Sequence, residues 1–311
     1  MKCTTAFFKT YCVLALMATG LLYAQQEPQY TQYMYNTLTV NPGYTGSAGY
    51  LEATLQHRSQ WVGIDGAPVT QAFTVHSPYS QEHDNIGIGL SVVNDNLGPS
   101  NEVYADGNFS YAIRFSNDTK LAFGLKAGAR MLNIDWSKGR YYQPGDPLLN
   151  NNINNKINPL IGAGLYYYTD RWYAGVSVPN FVQNNYYDDV QESIMADRLH
   201  YFVMAGYVFN LTDNLKFKPA ALAKIVTGAP VIVDVSANFL LQEAVTLGAS
   251  YRWDDSVSAL AGIQVTRNFF AGYSYDYSVT DLNKYNSGSH EVIVRFTLQP
   301  KQSRIKSPRF F

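Results

Sequence analysis

Cysteine is nearly missing from this chain. Its two cysteines, Cys3 and Cys12, lie at the very start, inside a segment that reads as a removable leader. The rest of the chain therefore has no thiol for a disulfide, a thiolate metal site or a cysteine nucleophile. Cys12 sits in the middle of an apolar run, followed by Val13-Leu14-Ala15 rather than closing it, which speaks against a lipidated cysteine. Charge is scarce as well. Asp, Glu, Lys and Arg make up 15% of residues and the formal net charge is −1, so nothing attracts a polyanion and no nucleic-acid partner is expected. After the leader, no window offers the roughly 18 uninterrupted apolar residues of a membrane helix. The histidines, His57, His76, His83, His200 and His290, never fall in an H-E-x-x-H or comparable spacing. Ser289-His290-Glu291 places serine and histidine side by side, and on a strand such neighbours point to opposite faces and cannot pass a proton. With no nucleophile and base in view, the sequence predicts no catalytic residue, no metal site and no cofactor.

The leader is legible in detail. Met1, Lys2 and Lys9 precede an apolar stretch from Tyr11 to Leu22 that closes on Leu22-Tyr23-Ala24, which predicts a secretory signal peptide over 1–24, cut after Ala24. Its apolar core is too short for a membrane span and runs at once into Gln25-Gln26-Glu27-Pro28.

What the remainder does have is alternation. From Val103 to Phe115 one parity reads Val103, Ala105, Gly107, Phe109, Tyr111, Ile113 and Phe115, while the other reads Tyr104, Asp106, Asn108, Ser110, Ala112 and Arg114. A period of two over such a length means a β-strand with one apolar and one polar face. The pattern returns along the chain and predicts strands near 49–60, 67–78, 85–94, 101–115, 119–133, 157–169, 171–178, 198–211, 214–226, 230–241, 244–254, 256–266, 268–278 and 289–298.

The connections decide what these strands build. Ser116-Asn117-Asp118, Asp170-Arg171, Thr212-Asp213, Gln242-Glu243 and Arg267-Asn268 are minimal, while the intervening connections include long stretches near 134–156, 179–197 and 279–288. Short periplasmic turns alternating with longer external loops is the rhythm of an outer-membrane barrel. An open sheet edge would leave unsatisfied backbone groups in the bilayer, so the strands should close on themselves. The expectation is an all-β transmembrane antiparallel up-and-down β-barrel in a bacterial outer membrane. It has about 14 strands, or about 12 if 67–78 and 171–178 do not pair, with both termini periplasmic.

The inward parity carries charges of both signs: Asp106, Arg114, Lys126, Arg130, Lys216, Lys218, Lys224, Asp234, Arg252, Asp254, Asp276, Glu291 and Arg295. Mixed signs predict an internal lattice of ion pairs rather than a charge-selective pore. Glycines at 87, 89, 162, 164, 248 and 272 either make room for a plug or relieve sheet curvature. Trp136, Tyr166 to Tyr168, Trp172 and Trp253 fall near strand ends, as interfacial girdles do.

Three blocks lie at or outside the edges of this pattern. The first reads Gln29-Tyr30-Thr31-Gln32-Tyr33-Met34-Tyr35-Asn36, then Val40-Asn41-Pro42-Gly43-Tyr44-Thr45-Gly46-Ser47. The second reads His57-Arg58-Ser59-Gln60-Trp61-Val62-Gly63, followed by Asp65-Gly66-Ala67-Pro68, and the chain closes on Ser307-Pro308-Arg309-Phe310-Phe311. In this order behind a signal peptide, they resemble the PorP/SprF family of outer-membrane proteins of the Bacteroidota type IX secretion system, across essentially the whole mature chain. Thr37 and Thr39, where more apolar residues are usual, and Gly43, where alanine is usual, are small departures.

The resemblance implies a barrel that assists secretion or surface attachment of cargo proteins, such as gliding adhesins, through their C-terminal sorting domain. It implies other type IX secretion components and outer-membrane lipid as further partners. About 14 strands enclose too narrow a space for a folded passenger, so the chain is not expected to be the translocation pore itself. A channel for a small or hydrophobic solute is the competing reading.

The domain division follows: leader 1–24, an N-terminal periplasmic or plug segment 25–48, the barrel 49–298 and a basic tail 299–311. Tyr30, Gln32, Tyr33, Asn36, Asn41 and Tyr44 are the candidate plug residues, because amides and phenols suit a polar barrel wall; an extended periplasmic lead-in is the alternative. Arg58, Gln60 and Trp61, where the first strand meets the first external loop, are candidates for meeting a partner. In the tail, Arg304, Arg309, Phe310 and Phe311 are candidates for docking a periplasmic component or signalling assembly, with plain solvation of the charges as the alternative.

Overall fold

The computed structural model describes residues 28–80, 82–116, 119–139, 152–182 and 198–298. The leader with Cys3 and Cys12, the cut after Ala24, the parts of the two longest loops at 140–151 and 183–197, and the tail with Arg304, Arg309, Phe310 and Phe311 lie outside the described residues.

Alternating sequence becomes a closed antiparallel sheet. In chain order its strands are β1 (Leu51–Ser59), β2 (Val69–Pro78), β3 (Ile86–Leu97), β4 (Ser100–Ser116), β5 (Thr119–Ile134), β6 (Ile153–Tyr168) and β7 (Trp172–Val178). Then β8 comes in two pieces, His200–Tyr207 and Phe209–Thr212, interrupted at Val208, and both pieces pair with the strand that follows. The wall continues with β9 (Leu215–Val226), β10 (Ile232–Leu241), β11 (Val245–Arg252), β12 (Ser256–Thr266), β13 (Phe269–Ser278) and β14 (Ser289–Leu298). Each strand pairs with its neighbours in sequence, and β1 pairs with β14 from Leu51↔Leu298 to Ser59↔His290, so the 14-strand barrel is closed. The two weakest segments of the pattern both pair on both sides, β2 with β1 and β3, and β7 with β6 and β8. Closure leaves the sheet without a terminal edge strand, which is the condition for a sheet in lipid.

Sidedness follows from the parity. Along β1, Glu52, Thr54, Gln56 and Arg58 are buried while Leu55 is 58% exposed. The same inversion runs round the wall: Phe109, Phe123, Leu125, Ile161, Val176, Val235, Leu247, Ile263 and Val292 all face outward. So continuous an apolar exterior is far beyond what a water-soluble chain leaves uncovered. It is the lipid-facing belt of an outer-membrane barrel.

Turns at 169–171, 213–214, 242–244 and 267–268 share one rim, and the longer connections 60–68 and 279–288 share the other. By the outer-membrane rhythm the first rim is periplasmic. The start of β1 and the end of β14 both lie there, as an even strand number requires.

The aromatic girdle is corrected in part. Tyr167 and Trp172 meet edge to face at 5.0 Å on the outside, and Trp253 is 64% exposed. Tyr166 and Tyr168 instead face the lumen, because they occupy the opposite parity of β6, and Trp136 is buried with Leu132 and Ile134. Arg114, Lys216 and Asp254 are likewise at the rims rather than in the lumen. Arg114 pairs with Asp84 at 3.0 Å and Lys216 with Glu243 at 3.1 Å, while Asp254 is an exposed turn residue.

Candidate functional site

The barrel's interior is occupied by its own N-terminal segment. Residues 31–37 and 40–46 are buried, and the chain is compacted by two short 3-10 turns, Thr37–Thr39 and Pro42–Tyr44. Asn41 starts the second turn, its side-chain oxygen accepting from the Gly43 N–H at 2.8 Å, with Pro42 supplying a fixed φ at the first position. An isolated polar peptide of this length would not hold such a shape; the wall's hydrogen bonds hold it.

The outer end is held by a charge cluster. Glu291 receives four donors: the Thr31 backbone N–H (2.9 Å) and the Arg58 guanidinium (3.1 Å) on Oε2, and the Gln32 backbone N–H (2.9 Å) and the Gln56 side-chain amide (2.8 Å) on Oε1. That saturates a carboxylate's lone pairs. Arg58 also reaches Asp276 at 2.7 Å. The Thr31 hydroxyl lies between them, donating to Asp276 at 2.7 Å and accepting from Arg58 at 3.0 Å. One guanidinium thus joins two wall carboxylates to the plug, and Arg252, paired with Asp234 at 3.0 Å, donates to the Tyr30 carbonyl at 3.4 Å.

Further in, Asn36 spends both ends of its amide, donating to Gln56 at 3.0 Å and accepting from the Thr74 hydroxyl at 2.9 Å. Gln32 donates to the Glu291 carbonyl at 3.3 Å. Tyr33 is buried beside Asp234 and Ser236. The Tyr35 ring lies among Phe270, Lys218 and Arg295.

The inner end is fixed by close approach. The Asn41 amide donates to the Leu165 carbonyl at 3.0 Å, and Ser177 and Ser110 donate to the Val40 and Thr45 carbonyls at 2.7 Å each. Tyr44 donates to Glu52 at 3.3 Å and packs edge-on to His76 and Tyr166. His76 accepts the Gly46 N–H on Nδ1 at 3.2 Å and presents Nε2 to Glu52 at 3.4 Å. Glycines make this contact feasible: a Cβ on Gly124 would lie 2.1 Å from the Gly43 nitrogen, and one on Gly164 would lie 2.2 Å from the Asn41 oxygen. Gly87 and Gly272 face Thr45 and Gln32 in the same way, whereas Gly89, Gly162 and Gly248 are crowded first by the wall itself, at His76, Pro179 and Asn238.

The six candidate plug residues therefore share one site, with Arg58 turned inward among them. Gln60 and Trp61 lie apart on the external rim. The Gln60 N–H donates to the Pro68 carbonyl at 2.9 Å, and Trp61, half-buried at φ +50°, donates its N–H to Ser289 at 3.1 Å. Val62 then exchanges backbone bonds with Gly288 and Ser287, pinning loop 60–68 to loop 279–288. Residue-type reasoning missed Thr31, Gln56, Glu52 and His76. The inward parity of β1 and β2 was the signal that could have found Glu52, Gln56 and His76. The predicted ion-pair lattice is present, as in Asp106–Lys126 at 3.3 Å and Glu102–Arg130 at 3.6 Å. Among the described residues no cluster of three or more His, Cys, Asp or Glu could hold a metal.

Comparison with solved structures finds barrels. The Ralstonia pickettii toluene transporter TbuX superposes with a TM-score of 0.52 at 10% identity, covering 87% of this chain and 94% of that one. The CymD monoaromatic hydrocarbon channel gives 0.50 at 9% identity, covering 86% and 92%. At such identities the likeness is one of fold alone. No curated protein matches in sequence. The family model described as "Type IX secretion system membrane protein PorP/SprF" matches residues 22–296, which takes in the plug and nearly all of the wall. With its closed barrel, lipid-facing belt and that match, this outer-membrane chain belongs to the PorP/SprF family of type IX secretion system membrane proteins, which are transport components and not enzymes.

Proposed function

We propose that the barrel assists secretion or surface attachment of proteins carrying a C-terminal sorting domain, as an accessory of the type IX machine rather than its translocation pore. The observation that carries this reading is the occupied lumen. A conduit needs a continuous path, whereas residues 31–46 fill the barrel and are tied to its wall near both rims. The segment acts as a plug that keeps the outer membrane tight. The outer surface meets cargo, Gln60 and Trp61 supply part of that surface, and the periplasmic rim and tail meet other secretion components.

The test is a comparison of surface proteomes with and without this protein. Loss of one or a few sorting-domain proteins from the cell surface, with their retention inside, is expected; an unchanged surface refutes the reading. The competing reading, a channel for a small or hydrophobic solute, would be favoured by a steady open conductance of the purified wild-type protein.

A further inference from the structure

The inner end of the plug rests on an imidazole. Gly46, at φ +70°, turns the chain so that its N–H donates to Nδ1 of His76 at 3.2 Å. A Cβ at Gly46 would lie 2.6 Å from the Gly87 Cα, so the turn is also seated closely on β3. Accepting from a backbone N–H takes a bare lone pair on Nδ1, so the seated plug needs the neutral ring. His76 is buried near the inner end of β2, and its Nε2 faces Glu52 at 3.4 Å. Glu52 stands directly opposite on β1 and accepts from the Tyr44 hydroxyl of the plug at 3.3 Å. Arg295 of β14 adds a positive charge that acts on both Glu52 and Tyr44. From the other side β3 opposes His76 with Gly89, which brings no charge.

We propose that this contact is an acid-sensitive latch: a proton taken up by His76 frees the inner, periplasmic end of the plug. The latch rests on the sealed lumen proposed above. Its sign follows from what differs between a seated and a released plug. Glu52, His76 and Arg295 are all wall residues, so the attraction and repulsion among them are present in either state and contribute little to the difference. The seated plug alone sets the Gly46 N–H against Nδ1, where a further proton would bring two donors face to face. It also closes the ring off from water, which penalises the charged form. Both effects favour release once the ring is charged. The released state therefore binds the extra proton, and the seated plug is firm at neutral pH and weakens as pH falls.

The test takes the purified full-length protein in planar bilayers from about pH 7.5 to about pH 5 on both sides, a span over which imidazoles charge. It is expected to be closed at the first and to open in bursts at the second. Open time should rise about tenfold or more, since one proton shifts such a balance by at most about tenfold per pH unit. His76→Asn sets an amide oxygen where Nδ1 stood, keeping the acceptor without the titration, and should stay closed at both. Glu52→Gln removes the neighbouring carboxylate and should still open in acid, at a somewhat lower pH. Backbone amide exchange over residues 41–48 of the wild type, corrected for the intrinsic effect of pH, should quicken in acid; this reads the latch even if His76→Asn assembles poorly. Wild type that stays shut in acid, or whose exchange there does not quicken, overturns the latch. So does His76→Asn that opens as readily as wild type, or Glu52→Gln that has lost the response. Wild type that conducts steadily at neutral pH overturns instead the sealed lumen on which the latch rests.

Discussion

Replacing Arg58 with alanine removes the guanidinium that lies 2.7 Å from Asp276 and 3.1 Å from Glu291. These side chains are no more than 3% exposed, so water cannot take the vacated place while the plug is seated. Stripping one partner from a buried ion pair costs about 3–5 kcal/mol, and the lost donor to the Thr31 hydroxyl adds about 1 kcal/mol. The molecule has a way to relieve this: if residues 28–32 leave the wall, both carboxylates meet water. The seated plug therefore loses about 3 kcal/mol or more against a released limb, a shift of about a hundredfold. The β1–β14 ladder is made by backbone groups, so the barrel still assembles and shows its usual heat-modifiable migration. In planar bilayers the wild-type protein is expected to stay closed and Arg58→Ala to open in bursts, while limited proteolysis gains a cut within residues 28–36. Arg58→Lys, a point charge in place of a fork, should fall between them. An assembled Arg58→Ala barrel as silent and as protease-resistant as wild type would refute the reasoning.

Gly124→Val tests the inner end, since its Cβ would lie 2.1 Å from the Gly43 nitrogen and 2.2 Å from the Pro42 carbonyl carbon; conductance should rise, whereas Gly107→Ala, whose nearest neighbour would be 3.9 Å away, should change nothing. Deleting residues 28–46 should leave an assembled barrel, because that segment contributes no strand to the closed sheet, but should sensitise cells to large antibiotics; unchanged inhibitory concentrations would argue against a sealing role. Removing 299–311 should spare assembly, since β14 ends at Leu298, and should reduce display of cargo on cells; normal display would dismiss a role for the tail.

The wall was legible because a membrane barrel writes itself in parity: each strand has one lipid face and one polar face, and the turns keep phase. Even the weak segments at 67–78 and 171–178 fell in place as β2 and β7. The N-terminal segment stood out by composition, a run of amides and phenols too polar for lipid and too aromatic for a linker. Its partners did not, because they come from remote strands: Thr31 meets Asp276, and Gly43 sits against Gly124 and Tyr166. Arg58 shows the difference most clearly. By residue type it suits an exposed interface, but its parity on β1, shared with Glu52, Thr54 and Gln56, turns it inward. Tyr166 and Tyr168 were misplaced for the same reason, since closeness to a strand end says nothing about which face a ring takes.

The most direct test is affinity purification of the full-length protein from native outer membranes in mild detergent. Co-elution of a secreted protein bearing a C-terminal sorting domain, in near-equal amount and lost when that domain is removed, is the expected result. Recovery of the barrel alone, conducting steadily in bilayers, would contradict the secretion role and turn the lumen into a solute path.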